Sequence, residues 1–380
     1  MADRFDVIVL GAGMAGASLA AELAPDARVL LLESEDRPGR HATGRSAATF
    51  FESYGNATVR ALTRASRAFL ERPPDGFGET PLLSPRSAMF VADAGRLDKL
   101  VATAALPDAV LPMQRLSIEE TLTRCPILRR EWIGGGVLDA SGQDLDVAAI
   151  HQGYLRLARR HGAQLSCDAG NVAITRSGRV WQVGCAAGEF EAPVLVNATG
   201  AWADRVAQQA GARPVGLRPL RRTVVMLPAP PGYDMRDWPM VIDVDETFYF
   251  KPDAGQLLLS PANEDPSDPC DAMPDELDVA IAVDRFETAT IVSVEKLNHR
   301  WAGLRSFVAD RSPVVGYDPQ AEGFFWLAGQ GGYGIQMAPA LARSAAALLL
   351  HRSLPTDLLA QGVTAEALAP ARMSLRGAVS

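Results

Sequence analysis

Lysine is almost missing from this chain: three residues, at 99, 251 and 296, stand among 37 lysines and arginines in 380 residues. The net charge is −8, and no block of basic residues interrupts the sequence. A surface that grips nucleic acid needs such a block, so that class is excluded. The arginine excess reads as a usage bias, except where a single arginine is needed for chemistry. Cysteine is also sparse, at Cys125, Cys167, Cys185 and Cys270, with no CxxC pair. Four unpaired thiols fit a reducing compartment rather than a disulfide scaffold. The five histidines are scattered, so no metal site is expected. The longest apolar run near the C-terminus, Ala345 to Leu350, is far too short to span a bilayer. The nucleotide strand begins almost at the N-terminus, which leaves no room for a leader, and a cytoplasmic location is expected.

What the chain does have is concentrated first in residues 6–33. The apolar run Val7 to Leu10 reads as a buried parallel strand, followed by Gly11-x-Gly13-x-x-Gly16 and an alanine-rich helix to Leu23. A second apolar strand, Arg28 to Leu32, ends at the acidic Glu33. Gly11 allows the tight turn, Gly13 lets backbone approach a pyrophosphate, and Gly16 lets helix pack on strand. The helix N-terminus at Met14 and Ala15 offers free N–H groups to phosphate. Glu33, with Ser34 beside it, is placed for the ribose hydroxyls. The segment predicts dinucleotide binding; a ligand-free glycine turn is the bland alternative.

The chain then alternates between two kinds of region. Thr43, Gly44, Arg45, Ser46, Ala47 and Ala48 form a small, hydroxyl-rich loop that could wrap a phosphate with Arg45 and lie against a flat ring. A helix is expected over 58–70, and a separate lobe over 82–144 with a strand at 88–91 and a helix at 118–123. A helix over 144–161 and strands at 171–176 and 180–185 lead to the apolar strand 193–197. That strand should return beside the first one, and Thr199, Gly200 and Trp202 should close over the cofactor. Strands at 223–227, 247–250 and 257–259 and a helix over 277–296 make a second lobe.

The last signal is Trp301-Ala302-Gly303-Leu304-Arg305, then an apolar strand at 324–328, then Gln330-Gly331-Gly332-Tyr333-Gly334-Ile335-Gln336. Backbone N–H groups at a strand end and helix start suit the part of a flavin that gains negative charge on reduction. The organisation expected is an α/β fold. An extended Rossmann-type nucleotide domain takes 1–81, 145–214 and 301–380, and an α+β substrate domain on an antiparallel sheet takes 82–144 and 215–300.

GAGMAG with Glu33, HATGRSAA, NATGAW and GQGGYGI together resemble the FAD-dependent D-amino acid oxidase/dehydrogenase superfamily. Further stretches, among them PLLSPR, FYFKPDAG, SPANEDP and WAGLRSFVAD, resemble its bacterial D-arginine dehydrogenase branch nearly end to end. The resemblance implies non-covalent FAD, hydride transfer from the substrate Cα to flavin N5, and hydrolysis of the imino acid to a 2-oxo acid and ammonia. It implies that Arg222 and Arg305 clamp the substrate carboxylate, a pairing that guanidinium geometry favours. It also implies active-site roles for Tyr54 and Tyr249, and a Gly332 carbonyl that accepts from the substrate amine. The electrons would pass to a quinone or other carrier rather than O2.

Three positions depart from that branch. Its histidine, threonine and glutamate are replaced by Thr49, Phe51 and Ala88. The glutamate would hold a cationic side chain, so its loss and the arrival of Phe51 predict a pocket for apolar or neutral side chains. Two other readings stay open: an amine, N-methyl amino acid or 2-hydroxy acid oxidoreductase of the same fold, and a flavoprotein without turnover.

Overall fold

The computed structural model describes residues 2–105 and 112–375. Its centre is a six-stranded sheet ordered Gln164–Ser166, Val29–Leu32, Val7–Leu10, Val194–Asn197, Phe324–Ala328, Val314–Tyr317. All neighbours are parallel except the last pair. Both faces of this sheet are covered at its centre, which is why Val7–Leu10, Val29–Leu32 and Phe324–Ala328 are unbroken apolar runs. Val7 and Val9 point into one core with the helices Met14–Leu23 and Ala338–Leu349. Ile8 and Leu10 point into the other, with Trp181, Phe324 and Trp326. The return of 194–197 beside the first strand is in register Val194 on Val7.

A nine-stranded mixed sheet stands beside it, built around Arg218–Leu227, Gln256–Ser260, Tyr249–Asp253, Met240–Asp243 and Ala88–Asp93. One of its faces is closed by the helix Glu276–Ala289 through Val279, Ala282 and Phe286. Its other face looks toward the nucleotide sheet, and here period-2 alternation matters. Arg222 and Val224 pair with Gly303 and Trp301, Leu220 pairs with Arg305, and Tyr249 pairs with Ser260. Cross-strand partners share a face, so Arg222, Tyr249 and Arg305 project from the same side of the sheet. Among the described residues, no helix is long and apolar enough to cross a membrane.

Three expectations are corrected. The strand begun at 301 runs His299–Phe307 and pairs along its length with Arg218–Leu227, so it belongs to the large sheet rather than to the nucleotide region. The helix expected over 144–161 is Val147–Arg160, capped by the Asp146 side chain, while Gln143–Leu145 is a strand between Thr49–Phe50 and Leu83–Pro85. The helix expected to reach 296 stops at Ala289. There the β-branched run Thr290-Ile291-Val292 turns extended, the Thr290 hydroxyl donates to the Phe286 carbonyl, and Thr290 bridges to Leu128.

Candidate active site

A single cleft of about 840 Å³ runs from the first glycine turn to the clamp face of the large sheet. At the nucleotide end the glycines are required by close approach. A Cβ on Gly16 would lie 1.9 Å from the Gly11 carbonyl oxygen, and one on Gly11 would lie 2.6 Å from that of Ala198. Gly11, Gly13, Met14, Ala15, Glu33 and Ser34 line the cleft, whereas Gly16 and Gly44 act behind it by letting backbone meet backbone. Glu33 accepts from the Ala12 N–H at 2.9 Å with one carboxylate oxygen, and the other lies near Ser34 and the Glu35 N–H. Such a carboxylate, fixed at the end of the second strand, suits a ribose diol.

The loop 43–48 also lines the cleft, but Arg45 is not available to a phosphate. Its guanidinium pairs with the Asp271 carboxylate and donates to the carbonyls of Ala272 and Ala302. Its own carbonyl accepts from Trp301 Nε1. Arg45 therefore ties the loop to the large sheet. Thr43 Oγ1 accepts from the Met14 N–H at 2.9 Å, which joins the loop to the helix N-terminus. Thr199, Gly200 and Trp202 line the same end, with the Trp202 ring 4.8 Å from that of His41. His151 was not anticipated by sequence reasoning: its Nε2 is 2.8 Å from the Ala12 carbonyl. Burial lowers its pKa, so the neutral ring donates there.

At the other end Gly303, Gly331, Gly334 and Ile335 line the cleft between strand 299–307 and helix 338–349. Gln336 lines it too, yet its amide is committed: the oxygen accepts from the Phe51 N–H and the nitrogen donates to Thr63 Oγ1. Tyr333 is buried behind the wall, edge-on to Tyr54 and Phe307. The Arg305 guanidinium lies over Gly332, where a Cβ would be only 1.5 Å from its Nη2.

Arg222 and Arg305 are both nearly buried and both line the cleft. Arg222 is depressed in pKa, first by burial and then by the Arg305 charge. Burial works against Arg305 as well, but the phenol oxygens of Tyr54, Tyr249 and Tyr333 outweigh it and raise its pKa. Both remain cations at neutral pH. Tyr249 lies under Arg222, whose guanidinium carbon is 5.9 Å from the ring centre. The Tyr54 hydroxyl is 3.4 Å from Arg305 Nη2 and 3.4 Å from a Glu246 oxygen. The chamber beside them is walled by Phe51, Phe90, Met240 and Ile242. Thr49 lines it, with its hydroxyl 3.5 Å from the Met240 sulfur. Ala88 does not: it is fully buried on its strand and supports Phe51 from behind. Glu246, unforeseen, lies in a turn between two strands with φ of +51°, and an acid at such a hairpin tip is the signal that marks it.

Sequence comparison matches residues 6–348 to the family described as DAO, FAD dependent oxidoreductase. The chain is 25% identical over 374 residues to an uncharacterized oxidoreductase, YurR, of Bacillus subtilis, covering 92% of this chain and 96% of that protein. It is 26% identical over 372 residues to glycine oxidase of Bacillus licheniformis, covering 94% and 96%. Its fold superimposes on the crystal structure of glycine oxidase from Geobacillus kaustophilus with a TM-score of 0.80 at 22% identity, covering 96% and 99% of the two chains. None of these three is named a D-arginine dehydrogenase. The glycine cradle, the fixed carboxylate at Glu33 and the long cleft fit the dinucleotide cofactor.

Proposed function

The chain belongs to the DAO family of FAD-dependent oxidoreductases, and on that premise we propose that it oxidatively deaminates a D-amino acid with an apolar or neutral side chain. The observation that carries this reading is the placing of Arg222, Tyr249 and Arg305 on one sheet face at the end of the cofactor cleft, with Gly332 against Arg305. Arg222 and Arg305 share one oxygen of a single carboxylate, Glu264, on the side away from the cleft, so two nearly buried cations keep donors for a second carboxylate on the cleft side. FAD, when bound, supplies the two-electron acceptor. The protein's own residues bind and orient. Arg222 and Arg305 hold the carboxylate with the help of Tyr249, and the Gly332 carbonyl receives the ammonium group. Tyr54 stands where loss of an ammonium proton must be assisted. The imino acid product is hydrolysed by water to a 2-oxo acid and ammonia.

The side-chain preference rests on Phe51, Phe90, Met240 and Ile242, which offer a cationic chain nothing to pair with. Glu246 is the one carboxylate at this end among the described lining residues, and it faces Tyr54. Glycine oxidase, similar along nearly the whole chain, is by its name an enzyme of amino acids. We assign the residues within 1–81, 145–214 and 308–380 to cofactor binding and the rest to the substrate domain, and a quinone or other carrier as re-oxidant.

The test is anaerobic mixing of the flavoprotein with D- and L-amino acids while following absorbance at about 450 nm, a property of oxidised flavin. Bleaching by D-Leu, D-Met or D-Phe and not by D-Arg is expected. Bleaching by D-Arg above all would overturn the side-chain assignment, and bleaching by no D-amino acid would overturn the substrate class. Stoichiometric peroxide in air would replace the carrier by O2.

A further inference from the structure

Behind the clamp lies a carboxylate that the cleft does not reach. Glu264 Oε1 is 3.3 Å from Arg222 Nη2, 3.5 Å from Arg305 Nη1 and 2.8 Å from Arg311 Nη2, and its Oε2 is 3.0 Å from Arg311 Nη1. Arg222 and Arg305 line the cleft; Glu264 and Arg311 do not. One oxygen is thus shared by three guanidiniums, and the other belongs to Arg311 alone.

The backbone is bent to produce this arrangement. Ala262 has φ of +51° and Arg311 has φ of +57°, left-handed conformations that a non-glycine residue adopts only under strain. The turn at Ala262 is held by the Ser260 hydroxyl, which accepts from the Ala262 N–H and donates to the Thr223 carbonyl. Asn263 then accepts from the Thr223 N–H through its side chain and from Arg222 Nε through its carbonyl at 2.8 Å. Arg311 is fixed from its own side. Its guanidinium carbon is 3.7 Å from the centre of the Phe307 ring, and Asp310 next to it is bound by Arg372. Two strained turns, far apart in sequence, converge on one ion pair.

We propose that Glu264 is a specificity-determining residue that confines the anion subsite to singly charged ligands, monocarboxylates, and disfavours dicarboxylates and phosphate esters. The inference rests on the reading of Arg222 and Arg305 as the carboxylate clamp. The charges decide it. Arg222, Arg305 and Arg311 carry three positive charges, and the Glu264 carboxylate lowers the sum to two and weakens the attraction for a doubly charged ligand more than for a singly charged one. With Glu264 in place Arg311 is consumed in a bidentate pair, and the two cleft arginines share the remaining oxygen lone pairs. What faces the cleft is two partly satisfied cations with one edge each to offer, which is the demand of one carboxylate. A second negative charge on the ligand would find its countercharge already taken by Glu264 and would be repelled by it.

The experiment uses the FAD-loaded protein and reads binding, without turnover, from perturbation of the flavin spectrum by acetate and by malonate at low ionic strength. The Glu264→Gln variant keeps the shape and removes the charge. Its ratio of acetate to malonate dissociation constants should shift toward malonate by roughly tenfold, the effect of removing one negative charge near the second carboxylate in a partly screened site. Glu264→Asp keeps the charge and should hold the ratio near that of the unaltered protein. A Glu264→Gln ratio unchanged within about twofold would overturn the assignment while leaving the clamp standing. An Asp variant that behaves like Gln would make shape rather than charge responsible and also overturn it. Failure of acetate and malonate alike to bind the unaltered protein would overturn the clamp and this inference together.

Discussion

Replacing Gly332 by alanine tests whether Arg305 holds a substrate carboxylate. Gly332 has no left-handed φ, so alanine brings no backbone strain of its own. The new methyl carbon would lie 1.5 Å from Arg305 Nη2, 2.0 Å from Cζ and 2.1 Å from Nε. Nothing closer than about 3 Å is tolerable between such atoms, so the guanidinium must leave. Tyr54, Phe307 and Glu264 close its other sides, so it can move only into the cleft, out of the position in which it would pair with a carboxylate. The loss is then the carboxylate's pairing with Arg305. A hydrogen bond to a charged group contributes about 1.5–3 kcal/mol, and a displaced bidentate arm belongs at the upper end of that range. Since about 1.4 kcal/mol is a factor of ten, the dissociation constant of a carboxylate ligand should rise roughly 100-fold. The assay is titration of the flavin spectrum with acetate or a slow D-amino acid, with FAD content measured on the same sample to show that the cofactor is retained. Ligand affinity within about threefold of the unaltered protein, at full FAD occupancy, would refute the reasoning.

Two further perturbations address the other end of the cleft. Gly16→Ala puts a Cβ 1.9 Å from the Gly11 carbonyl oxygen. Neither is a movable side-chain end, so the glycine turn must open; the variant should purify with little or no FAD, measured as the absorbance ratio of flavin to protein. The pKa of His151 is lowered by burial, so the unfolded chain binds a proton that the folded chain refuses. Its contribution to stability is present above the ordinary histidine pKa of about 6.5 and is lost as pH falls below it. Melting temperature should therefore decline between about pH 6.5 and 5 more steeply in the unaltered protein than in His151→Gln, and parallel curves would dismiss the assignment.

The parts of this molecule that were legible in its sequence are those whose signal is local. Val7 to Leu10, the glycine spacing and Glu33 lie within thirty residues, and strand 194–197 shows by its composition that both its faces are buried. Arg222 and Arg305 were legible through resemblance alone, and the register that puts them on one face appears only in the sheet. Arg45 was misread because its partner, Asp271, is 226 positions away. Ala88 was misplaced because a strand position does not announce whether its side chain meets ligand or core. Glu264 and Arg311 gave no warning. Their meeting depends on two left-handed residues that are not glycine, a conformation that sequence patterns do not foretell.

The order of strands in the nucleotide sheet bears on how the chain comes to be folded. Val7–Leu10 is synthesised first, yet its neighbour Val194–Asn197 and the next strand, Phe324–Ala328, arrive far later. Translation at about 5–20 residues per second separates the first strand from the last by on the order of half a minute. Through that interval Val7–Leu10 has Val29–Leu32 on one edge and no strand on the other, and the cleft still lacks the walls that Thr199, Gly303 and Gly331 supply. Flavin should accordingly enter only after Phe324–Ala328 has joined the sheet.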